Sequence, residues 1–214
     1  RWKDFGMFFS LVKVFRLNRI FYLCSFLLLF SSAVFAQNSN IQVTTSATVG
    51  GSWSLVSGTY TFTPSADNAN INVVDITNRL RAAGGISTAG SVKILTTNVG
   101  VGTQVGNVNF VASVSAYNTN TSRYVLEVDA GGDIVVSSGI SLQGGEWNNS
   151  SNFGYNIDFD AIGNVLLNNS LNTSGQSANL CCSNIVYSNG GNVVLSAGGY
   201  VKVGGAITAS GGSN

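Results

Sequence analysis

The chain has no histidine, one proline and one methionine in 214 residues, and charged residues make up only 9% of it. Without histidine, the commonest general base of enzyme catalysis is missing. The single proline, Pro64, cannot donate to a central strand ladder and is expected to close the element before it. Cysteine is nearly as scarce: Cys24 lies in the leading segment, and Cys181 and Cys182 are adjacent. Neighbouring residues on a strand face opposite ways, so this pair splits rather than bridges. A vicinal disulfide or metal site is the sharper alternative, but there is neither a histidine nor a second cysteine pair to support it.

Positive charge is also short once the first segment is set aside. Residues 37–214 carry five cations (Arg79, Arg81, Lys93, Arg123, Lys202) against eight anions, a formal charge of −3, although the whole chain is +1. This is no basic footprint for nucleic acid. The leading apolar run, residues 20–30, spans eleven positions and is too short to cross a bilayer comfortably. Arg1, Lys3, Lys13, Arg16 and Arg19 precede it, and Val34 and Ala36 stand at −3 and −1 before Gln37. That order predicts a secretory signal peptide over residues 1–36, with Met7 as a start. A membrane anchor is the weaker reading. So is a lipoprotein through Cys24, because Leu23 replaces the small residue expected before a lipidated cysteine.

What the chain does have is a recurring phrase: Gly, then Asn or Asp, then alternating apolar residues. It reads Gly106-Asn107-Val108-Asn109-Phe110, Gly132-Asp133-Ile134-Val135-Val136, Gly163-Asn164-Val165-Leu166-Leu167 and Gly191-Asn192-Val193-Val194-Leu195, with a looser copy at Gly90-Ser91-Val92-Lys93-Ile94. The glycines lie 16, 26, 31 and 28 residues apart. Such a period points to stacked repeats that bury their apolar faces only against one another. The phrase predicts glycine corners, at positive φ or where successive layers approach closely, with Asn or Asp stacked over its equivalents. Val108, Phe110, Ile134, Val136, Val165, Leu167, Val193 and Leu195 are expected to face inward.

Before the repeats, residues 53–56 and 59–62 flank Ser57-Gly58 as a predicted hairpin. Asp75 is expected to cap a brief helix over residues 76–83, stopped by Gly84-Gly85 and covering the end of the stack. The fold expectation is all-β: a right-handed parallel β-helix over residues 86–214, with an N-terminal β-rich capping region at 37–85. No cap is expected at Ala209-Ser210-Gly211-Gly212-Ser213-Asn214, so the sequence reads as the N-terminal piece of a longer protein.

Residues 130–136 with Ser138-Gly139-Ile140, and residues 190–199, resemble the large secreted β-helix proteins of the filamentous haemagglutinin and adhesin type. Residues 60–70 resemble stretches that precede such repeats in long surface proteins of Bacteroidetes-type bacteria. The resemblance implies the right-handedness, export and a role at the cell surface. With the readings above it leads to the expectation of an adhesin-like structural protein rather than an enzyme, with a cell-surface or polysaccharide ligand; further domains downstream are expected from the uncapped end, and no membrane span after signal removal from the short apolar run. It carries over no catalytic, cofactor or metal residue.

Two carboxylate pairs, Glu127/Asp129 and Asp158/Asp160, each share one strand face. They suit an acid–base pair in a carbohydrate-active enzyme, the rival function, or oxygen ligation of Ca²⁺. The simpler reading is a solvated outward face. Trp53, Tyr117, Tyr124, Trp147, Tyr155 and Tyr200 are candidates for stacking on sugars, Trp147 within the polar loop 146–152. Sequon-like triplets begin at Asn120, Asn148 and Asn172 and matter only in a glycosylating pathway.

Overall fold

The computed structural model describes residues 38–96, 102–118, 122–144, 146–147, 150–151, 153–175, 178–180, 184–186 and 189–212. The predicted signal peptide, the Cys181-Cys182 pair and the sequon positions Asn120 and Asn148 lie outside them. So do the side chains of residues 146–152.

In chain order the strands are β1 (Ile41–Thr44), β2 (Gly51–Val56), β3 (Thr59–Pro64) and β4 (Ala69–Asn72), followed by one helix, α1 (Val73–Arg81). Then come β5 (Ser91–Leu95), β6 (Val108–Phe110), β7 (Val114–Asn118), β8 (Val125–Ala130), β9 (Ile134–Val136) and β10 (Ile140–Gly144). A short pair, β11 (Glu146–Trp147) and β12 (Ser150–Ser151), precedes β13 (Asn156–Ala161), β14 (Val165–Leu167) and β15 (Leu171–Asn172). A second pair, β16 (Ala178–Leu180) and β17 (Asn184–Val186), precedes β18 (Val193–Ala197), β19 (Val201–Val203) and β20 (Ile207–Thr208).

These strands sort into three main sheets. The first runs β2-β3-β5-β8-β13-β18, the second β4-β1-β6-β9-β14-β19 and the third β7-β10-β15-β20. Pairing within them is parallel throughout, except for the β2–β3 hairpin. That hairpin turns at Ser57 and Gly58 (φ 51° and 81°), where the sequence predicted it.

The expected right-handed parallel β-helix is not what forms. The described residues are β-rich, 49% strand and 6% helix, but their parallel strands make three separate flat sheets and no closed β-helix or other solenoid is identified among them. Strand hydrogen bonding runs within each sheet, and the chain crosses between sheets through corners and loops. The N-terminal strands join the same sheets. β1 sits inside the second sheet between β4 and β6, and β3 pairs with β5 in the first.

Alternation explains the core. Ile41, Val43, Val108, Phe110, Ile134, Val136, Val165 and Leu167 are fully buried from the second sheet. Val92, Ile94, Leu126, Val128, Ile157 and Phe159 are buried from the first. Phe110 and Phe159, from different sheets, stack with centroids 5.7 Å apart. The helix adds Ile76 and Leu80 and packs against β4, β5 and β7. Its N-cap is Asn72, whose side chain accepts the Val74 N–H, rather than the expected Asp75. Asp75 falls in the first turn, where it faces Arg79 at 3.7 Å, and Ala82 in the left-handed region ends the helix before Gly84.

Flat sheets of many strands are unusual and are commonly held by side-chain ladders. The Asn and Asp of the recurring phrase supply one. Asn40 Oδ1 accepts the Asn107 N–H at 2.8 Å, and Asn107 Oδ1 accepts that of Asp133 at 2.7 Å. Asp133 Oδ1 accepts the Asn164 N–H at 2.7 Å, and Asn164 Oδ1 that of Tyr200 at 3.1 Å. Each bond reaches the next strand of the second sheet, so the ladder ties layers together rather than closing a local turn. The preceding glycine makes room for it. A Cβ on Gly132, Gly163 or Gly199 would lie 2.1, 2.3 or 2.2 Å from the Asn107, Asp133 or Asn164 oxygen respectively. Gly191-Asn192 is not a fourth equivalent. It precedes β18 in the first sheet, and the true counterpart is Gly199-Tyr200 before β19.

Candidate binding surface

Register defines four units, each giving one strand to each sheet: β5-β6-β7, β8-β9-β10, β13-β14-β15 and β18-β19-β20. Equivalent core positions are Val92, Leu126, Ile157 and Val193 in the first sheet; Val108, Ile134, Val165 and Val201 in the second; and Val114, Ile140, Leu171 and Ile207 in the third. From second to third sheet the step is six residues in every unit. From first to second it is eight in the last three units. The return from third sheet to first alone keeps lengthening, from 12 to 17 to 22 residues. The two longer returns carry the antiparallel pairs β11–β12 and β16–β17, and β12 lies against β16.

Side chains at this corner fix the roots of the returns. Asn118 is fully buried and donates from Nδ2 to the Ser122 carbonyl at 2.8 Å and the Phe153 carbonyl at 3.0 Å, joining two successive returns. Arg123 lies over the Phe153 ring at 4.5 Å, a second tie between the same two. Thr173, also buried, donates to the Gly191 carbonyl at 3.0 Å and closes the third return. Of the aromatics considered for sugar stacking, Tyr117 is 49% exposed beside this corner. Tyr155 is buried and donates to the Leu80 carbonyl at 3.3 Å, and burial raises its phenol pKa. Trp53 packs edge-on against Phe62, with Arg79 4.0 Å above its ring. Neither of these two is available to a sugar. Trp147 falls on β11, but its side chain is not among those described.

The four carboxylates come together just beyond this corner. Asp158 registers with Glu127 and Asp160 with Asp129 on adjacent strands of the first sheet, with the apolar residues between them turned inward. Lys93 on β5 completes the file, 2.7 Å from Glu127 and 2.9 Å from Asp129. Partial burial favours the neutral amine of Lys93, but its hydrogen bonds to Glu127 and Asp129 outweigh this and hold its pKa above the ordinary lysine value. Asp158 is shifted in the same direction. Burial, then repulsion from Glu127, Asp160 and Asp129, raises its pKa above the ordinary aspartate value. Among the described residues no three His, Cys, Asp or Glu side chains are grouped to hold a metal ion. The file is therefore an outward face with one cation set against four anions. Sequence reasoning missed Lys93 because it lies 34 residues from Glu127 and only strand register brings them together.

No helix of the described residues is long and apolar enough to cross a membrane. Compared with known proteins, the chain matches no family model, no curated protein and no solved structure.

Proposed function

We propose that the chain belongs to an exported structural protein of the cell surface, adhesin-like, in which the three-sheet scaffold presents loops to a polysaccharide or other cell-surface ligand. One observation carries this reading: chain length varies mainly where the third sheet returns to the first, while the other steps of the last three units are fixed. A scaffold that keeps its core spacing and elaborates one corner concentrates surface where a partner can meet it. The basic and apolar leader and the resemblance to haemagglutinin-type proteins support export. Binding of the chain to immobilised cell-surface polysaccharides tests the reading. Retention on at least one polysaccharide supports it, and no retention on a broad panel, with folding intact, counts against it.

A second reading, a secreted carbohydrate-active enzyme, is favoured by the register of Asp158 beside Glu127, which sets two carboxylates on one strand face, with the Asp158 pKa raised by burial and by its neighbours. Depolymerisation of a polysaccharide, lost in Asp158→Asn, would replace the adhesin reading with this one.

A further inference from the structure

The three sheets turn different chemistry outward. The first presents Lys93 and the four carboxylates. The second sets Leu166 between Val135 and Lys202. The third differs from both, because β7, β10, β15 and β20 contain no charged residue. In β7, Val114, Ala116 and Asn118 are buried while Ser115 and Tyr117 are exposed. β10 repeats the alternation with Ser141 and Gln143, and β15 with Asn172, all partly exposed. Register lines these side chains up in two rows across the strands, Ser115–Ser141–Asn172 and Tyr117–Gln143. Because the sheet is flat, the rows run straight rather than fanning out.

Given the polysaccharide-binding function proposed above, on which this rests, we infer that the outward face of the third sheet is the binding platform and that its ligand is an uncharged, extended polysaccharide lying across the strands. The strands of this face hold no cation to pair with a uronate, sulfate or phosphate group. Their hydroxyl and amide side chains instead match sugar hydroxyls as both donors and acceptors. Neighbouring strands lie about 4.8 Å apart, close to the length of one pyranose residue in an extended chain. Successive sugars therefore meet equivalent positions on successive strands. Tyr117 supplies the apolar element: at 49% exposed, its ring can cover the C–H face of one sugar while its hydroxyl stays in water. Its place is fixed. Buried Ala116 and Asn118 flank it, and Asn118 donates to the Ser122 and Phe153 carbonyls. The row of Tyr117 and Gln143 is also the one beside the third-to-first returns, so the returns border a chain bound along it.

The test measures retention of the full chain on immobilised cellulose, mannan and chitin, all uncharged, and on polygalacturonate as the anionic comparison. Retention is expected on at least one uncharged polymer and should be weaker on polygalacturonate. Tyr117→Ala should lower it at least about tenfold and Gln143→Ala severalfold. Tyr117→Phe should keep most of it, because the ring rather than the hydroxyl makes the contact. Circular dichroism of each variant separates a lost platform from a lost fold, and Gln143→Ala keeps the test valid if Tyr117→Ala unfolds. Retention on polygalacturonate alone overturns the platform and leaves the adhesin reading standing. So does retention on an uncharged polymer that neither alanine variant changes. No retention on any of the four overturns the platform, and the adhesin reading falls with it only if the broader panel also fails.

Discussion

The Asn107 side-chain oxygen lies where a Cβ on Gly132 would come to rest, 2.1 Å away, and from there it accepts the Asp133 backbone N–H at 2.7 Å. The two halves of the recurring phrase are thus partners across layers. Glycine in one layer vacates the space that asparagine from the layer before it fills. Gly132→Ala and Asn107→Ala should each destabilise, by about 1–3 kcal/mol, the first through overpacking and the second by orphaning an N–H. Together they should cost less than their sum by more than about 0.5 kcal/mol, because the methyl then meets no amide. Denaturant titration of the four proteins measures the coupling, and strict additivity would refute the partnership.

Gly163 and Gly139 separate two kinds of glycine. A Cβ on Gly163 meets Asp133 Oδ1 at 2.3 Å and the Gly132 backbone at 2.9 Å, whereas one on Gly139 meets nothing nearer than 3.4 Å. Gly163→Ala should lower the melting temperature by roughly 3–10 °C, taking about 2–4 °C per kcal/mol for a chain of this size. Gly139→Ala should leave it nearly unchanged.

The alternation of buried residues, the Ser57-Gly58 hairpin and the inward set from Val108 to Leu167 were legible in single segments, because period and turn chemistry are local. The sheet assignment was not. Gly191-Asn192-Val193 reads like Gly163-Asn164-Val165, yet one precedes a strand of the first sheet and the other a strand of the second. Nothing within five residues encodes that choice. It follows from the fixed eight- and six-residue steps, visible only once register is known. Local pattern likewise suggested a closed β-helix, because strand repetition alone does not state whether sheets join. At the helix start, Asn72 and Asp75 are both good caps, and the Arg79 ion pair helps occupy Asp75. Of the carboxylate site, the pairs within each strand were legible and Lys93 was not, since sequence gives neighbours along a strand but not across it.

Asp158 supplies a pH test. Its folded pKa is raised, so the native state binds a proton more readily than the unfolded chain, and stability falls as pH rises through the folded value. Asp158→Asn should therefore stabilise at neutral pH by about 0.5 kcal/mol, a like-charge relief on an accessible strand face. The gain should fade on acidification below the ordinary aspartate range. Thermal melts across that range check it, and a gain independent of pH would contradict the assigned cause.

Lys93 has the same sign, for the opposite reason, since its charged form is the one that is stabilised. Its folded pKa is raised by Glu127 and Asp129, so its contribution is fully present below the ordinary lysine pKa and is lost as pH climbs through the folded value. Lys93→Met should destabilise by roughly 0.5–1 kcal/mol at neutral pH, with a smaller cost in high salt. An effect unchanged by salt would point to packing of the lysine stem instead.

The lengthening return from third sheet to first is where the functional account stands or falls. Replacing residues 174–190 by a short glycine–serine link should leave the sheet signal and the melting temperature close to those of the parent, since the described strands of this span, β16 and β17, pair with each other and belong to none of the three main sheets. Polysaccharide retention, measured on the same immobilised panel, should fall at least tenfold. Retention equal to the parent in a correctly folded variant would contradict the claim that this corner carries the function.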